Sequence, residues 1–213
     1  MELYWTILSP PCRAVKMVAD TIGVSLETKE VNVLTGENKT AEFTKLNPQQ
    51  QVPLLVDGDV ILPESRAIIE YLVDTYAKDD SLYPKNPKIR AKIKSRLYFD
   101  CGTLCPKLYT AYNDLFYGKP AKEADVASLR DSIQVLEGYL NRDKWVAGPN
   151  ITIADISLVA IISGLPIYDF DLSPFPKVQN WIEECKKNIP SYKINEEGDS
   201  ATVELLKQLS QPK

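Results

Sequence analysis

The stretch Ser9-Pro10-Pro11-Cys12-Arg13 is the most informative part of the sequence, because it lies where an apolar strand is followed by a helix. The preceding stretch, Leu3-Tyr4-Trp5-Thr6-Ile7-Leu8, is aliphatic, aromatic and β-branched, as buried strands are. From Cys12 onward the apolar residues recur at helical spacing, and Gly23 follows as a stop signal. Proline is favoured in a first helical turn. The pattern therefore predicts that Ser9 lies beside the positive end of a helix, a position that favours an anion.

The remainder of residues 1–77 predicts alternating strands and helices. Segments 27–33, 52–56 and 60–62 have the composition of strands, whereas 41–46 and 65–76 have helical patterns. Asp57-Gly58-Asp59 is a hairpin signal between the last two strands. The order strand–helix–strand–helix–strand–strand–helix resembles a thioredoxin-like fold with a mixed sheet. In that fold Ser9-Pro10-Pro11-Cys12 resembles the redox motif with serine at the attacking position, and Val52-Pro53 occupies the cis-proline position.

A polar, proline-containing segment at 78–87 predicts a linker between two domains, 1–77 and 88–213. Beyond it the apolar patterns are helical: one long segment from 89 to 115, an amphipathic helix over 126–140, and a nearly apolar helix over 153–163. Thr152 and Asp155 are spaced as a capping pair at the start of that last helix. We predict an α/β N-terminal domain followed by an all-α helical bundle.

Composition limits the classes of function. The net charge of −4 gives no reason to expect nucleic acid or an anionic membrane as a partner. No apolar run reaches about 18 residues, and Met1-Glu2-Leu3 lacks the basic start of a signal peptide, so we expect a cytoplasmic protein. Four cysteines without a disulfide framework also favour a reducing compartment.

The chain contains no histidine, which restricts the chemistry further. A Ser-His-Asp triad, an imidazole general base and a histidine-containing metal site are all excluded. Cys101 and Cys105 are four residues apart, but no second pair at ligand spacing accompanies them. We therefore interpret them as packed core cysteines and predict no metal site.

Along almost the full chain, the motifs resemble those of the glutathione S-transferase family, in particular its arthropod Delta and Epsilon classes. The matching stretches are Ser9-Pro10-Pro11-Cys12-Arg13-Ala14-Val15, Asn47-Pro48-Gln49, Val52-Pro53, Glu64-Ser65-Arg66-Ala67-Ile68, Ser81-Leu82-Tyr83-Pro84, Arg96-Leu97-Tyr98-Phe99-Asp100 and Ile151-Thr152-Ile153-Ala154-Asp155. The resemblance implies an enzyme that conjugates reduced glutathione to hydrophobic electrophiles in detoxification, and a homodimer. In this role glutathione is a co-substrate.

The resemblance also implies the residues that act on glutathione. Ser9 is the catalytic residue, donating a hydrogen bond to the sulfur and stabilising its thiolate without acting as a nucleophile. The backbone of Val52 pairs with the cysteinyl residue, and Asp100 reaches the γ-glutamyl group in the partner subunit. The expected glutathione-binding residues are Asn38, Gln50, Gln51, Val52, Pro53, Glu64, Ser65, Arg66 and Asp100.

The electrophile is expected between the domains, facing the thiol. The candidates by family position are Pro11, Val33, Cys105, Leu108, Tyr109, Tyr112, Phe116 and Tyr117. Aromatic and aliphatic walls suit a planar hydrophobic substrate, whereas the alternative is that these side chains are helix–helix core. Residues 192–213 are a candidate cover for the pocket, but the interruption Gly198-Asp199-Ser200 leaves that question open.

Three positions depart from the family pattern, of which Pro63, where tryptophan is common, has no obvious consequence. Asn38 and Gln50 stand where Delta and Epsilon enzymes usually have histidine, so we expect weaker binding of the glycine carboxylate. These departures keep a second hypothesis open, that the chain is a non-catalytic carrier or scaffold for apolar ligands. A third hypothesis is a thiol–disulfide oxidoreductase that uses Cys12.

Overall fold

The first half of the chain folds around a small mixed sheet. The computed structural model describes residues 1–209. Strands β1 (Glu2–Trp5), β2 (Glu27–Glu30), β3 (Leu54–Asp57) and β4 (Val60–Pro63) lie in the order β2-β1-β3-β4. β1 is parallel to β2 and antiparallel to β3, and β3 is antiparallel to β4. The predicted mixed sheet is confirmed.

Three helices accompany this sheet. α1 (Pro10–Thr21) packs against α3 (Ser65–Tyr76), while a 3₁₀ turn (Glu37–Lys39) and the short α2 (Ala41–Leu46) precede β3. β1 ends at Trp5, earlier than predicted, because the chain turns before Ser9, whose N–H donates to the Thr6 carbonyl oxygen at 3.1 Å. β2 also ends early, at Glu30, although Val31 still donates to the Trp5 carbonyl oxygen.

The second half begins with a helix that is broken, where the sequence predicted one long segment. α4 (Pro87–Phe99) passes into a π-helical turn (Asp100–Leu104), then into α5 (Cys105–Tyr112) and a 3₁₀ turn (Asn113–Tyr117). Pro106 has no backbone N–H, and in a regular α-helix its ring would clash with the carbonyl of Gly102, so the helix changes its geometry at this point. The widened turn begins at Asp100, whose side chain is fully buried.

Up to residue 209, four further helices follow: α6 (Glu123–Leu140), α7 (Ile153–Ile162), α8 (Pro176–Asn188) and α9 (Lys193–Leu209), with a 3₁₀ turn (Leu165–Tyr168) after α7. α7 is buried along its whole length and packs against α1, α3 and α4, so it joins the two halves. Asp155 accepts from the N–H and the hydroxyl of Thr152 at 2.9 and 3.0 Å, which confirms the predicted cap. Within residues 1–209, no helix is long and apolar enough to cross a membrane.

Candidate active site

A cleft of about 500 Å³ is lined by residues of both halves. Every residue predicted to bind glutathione or the electrophile lines it, except Asp100. The sheet half supplies Ser9, Pro11, Val33, Asn38, Gln50, Gln51, Val52, Pro53, Glu64, Ser65 and Arg66, and the helical half supplies Cys105, Leu108, Tyr109, Tyr112, Phe116 and Tyr117. Folding therefore brings the two predicted sets of residues to one site.

Ser9 lies at the turn between β1 and α1. Its carbonyl oxygen accepts from the N–H groups of Cys12 at 3.0 Å and Arg13 at 3.1 Å. The two prolines that open α1 have no N–H at all. The first turn of α1 thus has no unpaired N–H for a ligand, contrary to the expected contribution of helical amides. The donor that remains at this turn is the hydroxyl of Ser9.

Cys12 lies next to this turn but is fully buried. Burial raises its pKa to about 12, although hydrogen bonds with Ser9 and the backbone of Thr6 act to lower it. The thiol is therefore protonated at neutral pH, whereas the thiolate is the form that attacks disulfides. This geometry disfavours the oxidoreductase hypothesis.

The N-terminus of α3 also faces the cleft, and it does not begin with prolines as that of α1 does. Glu64 precedes it with φ of 69°, in the left-handed region that non-glycine residues seldom adopt. The first helical hydrogen bond joins the N–H of Ile68 to the Glu64 carbonyl oxygen at 2.9 Å, so the N–H groups of residues 65–67 precede it. The Ser65 hydroxyl oxygen accepts from Arg66 Nη1 at 2.9 Å, which leaves its own proton to donate. This terminus can bind an anion.

Asp100 lies behind Arg66 and outside the cleft lining. Arg66 donates from Nε to Oδ2 at 3.0 Å and from Nη2 to Oδ1 at 2.6 Å, and the Ser157 hydroxyl of α7 donates to Oδ2 at 2.6 Å. Burial acts to lower the pKa of Arg66, but Asp100 outweighs it and raises that pKa. Because its own chain buries Asp100 completely, the expected reach to a partner subunit is corrected to a contact with Arg66.

The loop between α2 and β3 presents its backbone to the cleft. The Val52–Pro53 peptide bond is cis, as the thioredoxin-like resemblance implies. Neither the N–H nor the carbonyl of Val52 hydrogen bonds to another residue in the range 1–209. The buried Asn47 shapes this loop, donating to the Gln51 carbonyl oxygen at 2.8 Å and accepting from the Gln49 N–H at 3.0 Å.

Asn38 and Gln50 hydrogen bond within the protein. Asn38 Nδ2 donates to the Gln50 carbonyl oxygen at 2.7 Å, and Gln50 Nε2 donates to Thr44 Oγ1 at 3.1 Å. Asn38 Oδ1 is buried without a partner among the described residues. Each amide therefore commits one of its two N–H hydrogens before a ligand arrives.

Aromatic rings line the helical side of the cleft. Tyr112 stacks on Tyr168, with ring centroids 4.7 Å apart, whereas Tyr109 and Tyr117 expose 51% and 72% of their surface. These two rings are therefore not helix–helix core. The remaining lining residues were not predicted from the sequence, namely Thr6, Leu8, Pro10, Leu34, Asn47, Gln49, Pro63, Asn113, Tyr168, Thr202 and Leu205.

Most of the missed residues adjoin a recognised motif, but Thr202 and Leu205 lie on α9, where no local pattern marks them. The prediction for Cys101 was wrong, since its side chain is exposed, whereas Cys105 is buried. Over residues 1–209, no group of three or more potential metal ligands among Cys, Asp and Glu side chains is arranged to hold an ion.

Arg13 fastens α9 to the turn before Ser9. Its guanidinium donates from Nε to Asn195 Oδ1 at 2.8 Å, from Nη1 to the Ile7 carbonyl oxygen at 2.9 Å, and from Nη2 to Asp199 Oδ1 at 2.8 Å. α9 runs through Gly198-Asp199-Ser200 without a break and contributes to the cleft wall. Of the predicted cover, residues 192–213, the part up to residue 209 thus contributes to the wall of the cleft, while residues 210–213 lie outside the described range.

Comparisons with known proteins agree with this geometry. Two family profiles match, "Glutathione S-transferase, N-terminal domain" over residues 2–74 and "Glutathione S-transferase, C-terminal domain" over residues 97–188. Glutathione S-transferase D7 of Anopheles gambiae is 40% identical over 200 residues, which cover 92% of either chain.

Solved structures agree as well. A delta-class glutathione transferase of Nilaparvata lugens gives a TM-score of 0.94 at 43% identity, covering 98% of this chain and 99% of that chain. A glutathione transferase homolog from Drosophila mojavensis with bound glutathione gives a TM-score of 0.91 at 36% identity, covering 97% and 96%. The chain therefore belongs to the glutathione S-transferase family.

Proposed function

We propose that this glutathione transferase activates glutathione through the hydroxyl of Ser9 and conjugates it to hydrophobic electrophiles. The observation that carries the proposal is that Ser9 shares one cleft with the unpaired backbone of Val52 and the N-terminus of α3. A hydrogen bond to a charged acceptor contributes about 1.5–3 kcal/mol, equivalent to about 1–2 pKa units. Starting from a reference pKa of about 8.5, this brings the bound thiol to a pKa of about 6.5–7.5.

The rest of the ligand follows from its shape, that of an extended tripeptide. Its γ-glutamyl carboxylate meets the hydroxyl of Ser65 and the backbone N–H groups of α3, and Glu64 meets the ammonium group. The cysteinyl backbone pairs with Val52 as an added strand would. The glycyl residue then extends toward Asn38 and Gln50. The cleft lining contains all of these partners.

The electrophile is placed against the aromatic side of the cleft. Tyr109 and Tyr117 supply exposed ring surface there, and Leu108 adds an aliphatic wall. Such a surface favours planar apolar compounds. The carrier hypothesis requires no turnover, so steady conjugation of 1-chloro-2,4-dinitrobenzene with glutathione separates the two.

The experiment that tests Ser9 compares Ser9→Ala with Ser9→Thr, which keeps the hydroxyl. We expect Ser9→Ala to lower kcat/KM at neutral pH by about 10–100-fold, the equivalent of the lost hydrogen bond. The acid limb of kcat/KM for the electrophile at saturating glutathione, which reports the pKa of the enzyme-bound thiol, moves upward by about 1–2 pH units. Ser9→Thr retains most of the activity. An Ala variant with the wild-type rate and pH profile removes Ser9 from this role.

We extend the proposal to a homodimer located in the cytoplasm. Large apolar side chains remain exposed on β4, α3 and α4, namely Ile61, Tyr76, Ile89 and Tyr98, and an isologous pair would cover such residues. The four cysteines are unpaired, which supports a reducing compartment. Light scattering should give the mass of two chains, and Tyr98→Glu should shift it toward one. A wild-type monomer at micromolar concentration contradicts the dimer.

A further inference from the structure

The two ends of the cleft differ in charge. We define the glutamyl end as Glu64, Ser65 and Arg66, and the glycyl end as the five amide residues Asn38, Asn47, Gln49, Gln50 and Gln51. Among the lining residues within 1–209, Arg66 is the only cationic side chain and Glu64 the only acidic one. Both lie at the glutamyl end. The glycyl end therefore has no charged side chain among the lining residues within 1–209, and its polar side chains are uncharged amides.

Hydrogen bonds inside the protein reduce what these amides can offer a carboxylate. Asn38 donates to the Gln50 carbonyl oxygen, and Gln50 donates to Thr44. Asn47 is used at both its nitrogen and its oxygen. Because a carbonyl oxygen can only accept, the bond to Gln50 fixes which way the Asn38 amide faces. Its oxygen, buried and without a donor among residues 1–209, adds an acceptor near this end of the cleft, which does not favour an anion.

A cationic subsite and an amide subsite select differently. A cation gains a charge-assisted bond with a carboxylate and gains little from a neutral group, so it discriminates between the two. An amide donates and accepts, so it can pair with a carboxylate or a carboxamide; its bond to the carboxylate is the stronger one, but it lacks the Coulomb attraction that a cation adds. A carboxylate also loses more hydration on binding than a carboxamide does.

We propose that the glycyl end is a neutral subsite. The enzyme then accepts, besides glutathione, γ-glutamyl-cysteinyl thiols whose third residue ends in a neutral group such as a carboxamide or an ester. This inference rests on the proposed placement of glutathione in the same cleft. It concerns the terminal group alone, because the thiol and the γ-glutamyl group are the same in all of these compounds.

The test measures Kd by calorimetry and kcat/KM with 1-chloro-2,4-dinitrobenzene, for glutathione and for γ-glutamyl-cysteinyl-glycinamide, on the full chain. Wild type should treat the two thiols within about threefold of each other. Gln51→Lys, which adds a cation at an exposed position of the glycyl end, should favour glutathione by about tenfold. Gln51→Met, of similar length but uncharged, should leave the ratio as in wild type.

A second variant uses a titratable group. Gln50 has φ of 56°, a conformation that histidine adopts more readily than most residues do. Gln50→His should therefore fold, and its preference for glutathione should grow as the pH falls through about 6.5. The wild-type ratio should show no such trend.

The outcomes separate this inference from the proposed function. A wild-type preference for glutathione of tenfold or more overturns the neutral subsite and leaves the transferase mechanism intact. Wild-type indifference that neither added cation changes places the glycyl end elsewhere and overturns the inference as well. If neither thiol binds at millimolar concentration, both proposals fall together.

Discussion

Two buried arginine–aspartate pairs hold the cleft, and they are built in opposite ways. In the first pair the carboxylate of Asp100 is fully enclosed, and both its oxygens accept from the guanidinium of Arg66. In the second pair the arginine is the enclosed partner. Arg13 is 2% exposed and donates to four oxygens, whereas the Asp199 side chain is 20% exposed and accepts one bond from it.

The same two types of side chain therefore serve different structural roles. The bidentate geometry of the first pair fixes one guanidinium beside Ser65, at the glutamyl end. The second pair spreads the bonds of Arg13 over α7, α9 and the turn before Ser9. The first pair thus orients a charge, and the second clamps three parts of the chain together.

The largest expected effect comes from removing the enclosed carboxylate. Asp100→Ala leaves the guanidinium of Arg66, 14% exposed, buried without its partner, and should lower the free energy of unfolding by about 3–5 kcal/mol. Urea unfolding measures this. Asp74→Ala, which removes the exposed pair with Arg90, is the matched control and should change stability by less than about 1 kcal/mol. Equal effects of the two variants would show that the buried Arg66–Asp100 pair contributes no more to stability than the exposed Arg90–Asp74 pair.

The second prediction concerns pH and Asp199. Burial raises the pKa of Asp199 to about 6, while Arg13 acts to lower it. Because this lies above the value of 3.8 for a solvated aspartate, the folded state holds the proton more tightly than the unfolded state does. The contribution of Asp199 to stability is therefore full below a pH of about 4 and is lost as the pH rises through about 6, in total about 3 kcal/mol.

Unfolding free energies of wild type and Asp199→Asn, measured from pH 4 to pH 7.5, test this sign. The difference between the two proteins should move in favour of the Asn variant as the pH rises, since asparagine does not titrate. Parallel curves would show that the ion pair with Arg13 holds the carboxylate at its ordinary pKa, and would make the two pairs more alike than the structure indicates.

Local patterns predicted the parts of the molecule whose cause is local. The order of strands and helices around Ser9 and the cap formed by Thr152 and Asp155 each depend on a few adjacent residues. The cis bond before Pro53 was instead implied by the resemblance to the thioredoxin-like fold. The cleft residues were identified through the resemblance to the glutathione S-transferase family, whose motifs assign them to positions in this sequence.

What the sequence could not reveal depends on contacts between distant segments. Helical spacing of the apolar residues does not show the π-helical turn that buries Asp100 and directs it to Arg66. Likewise, Gly198 followed by Asp199 has the composition of an interruption, because helix propensity counts glycine as unfavourable. Only the folded chain shows that this glycine faces Arg13.

The smallest of the three effects tests that glycine directly. A Cβ at residue 198 would lie 2.7 Å from the Ile7 carbonyl oxygen and 2.6 Å from Arg13 Nη1, closer than real Cβ atoms approach. Neither neighbour can move freely, since the Ile7 carbonyl is part of the backbone and the Arg13 guanidinium is held by four hydrogen bonds. Gly198→Ala should therefore destabilise the protein by about 2 kcal/mol, despite the higher helix propensity of alanine.

Gly138→Ala supplies the control in α6, because a Cβ there meets nothing within 4 Å. It should stabilise the protein by about 0.5–1 kcal/mol, so the two variants should shift the midpoint of urea unfolding in opposite directions. Gly198→Ala should also raise the KM for the electrophile, because displacing α9 moves Thr202 and Leu205 in the cleft wall. If both variants stabilise the protein, the hydrogen bonds of Arg13 tolerate a displaced α9. The second pair would then join the segments less tightly than the first pair fixes its charge.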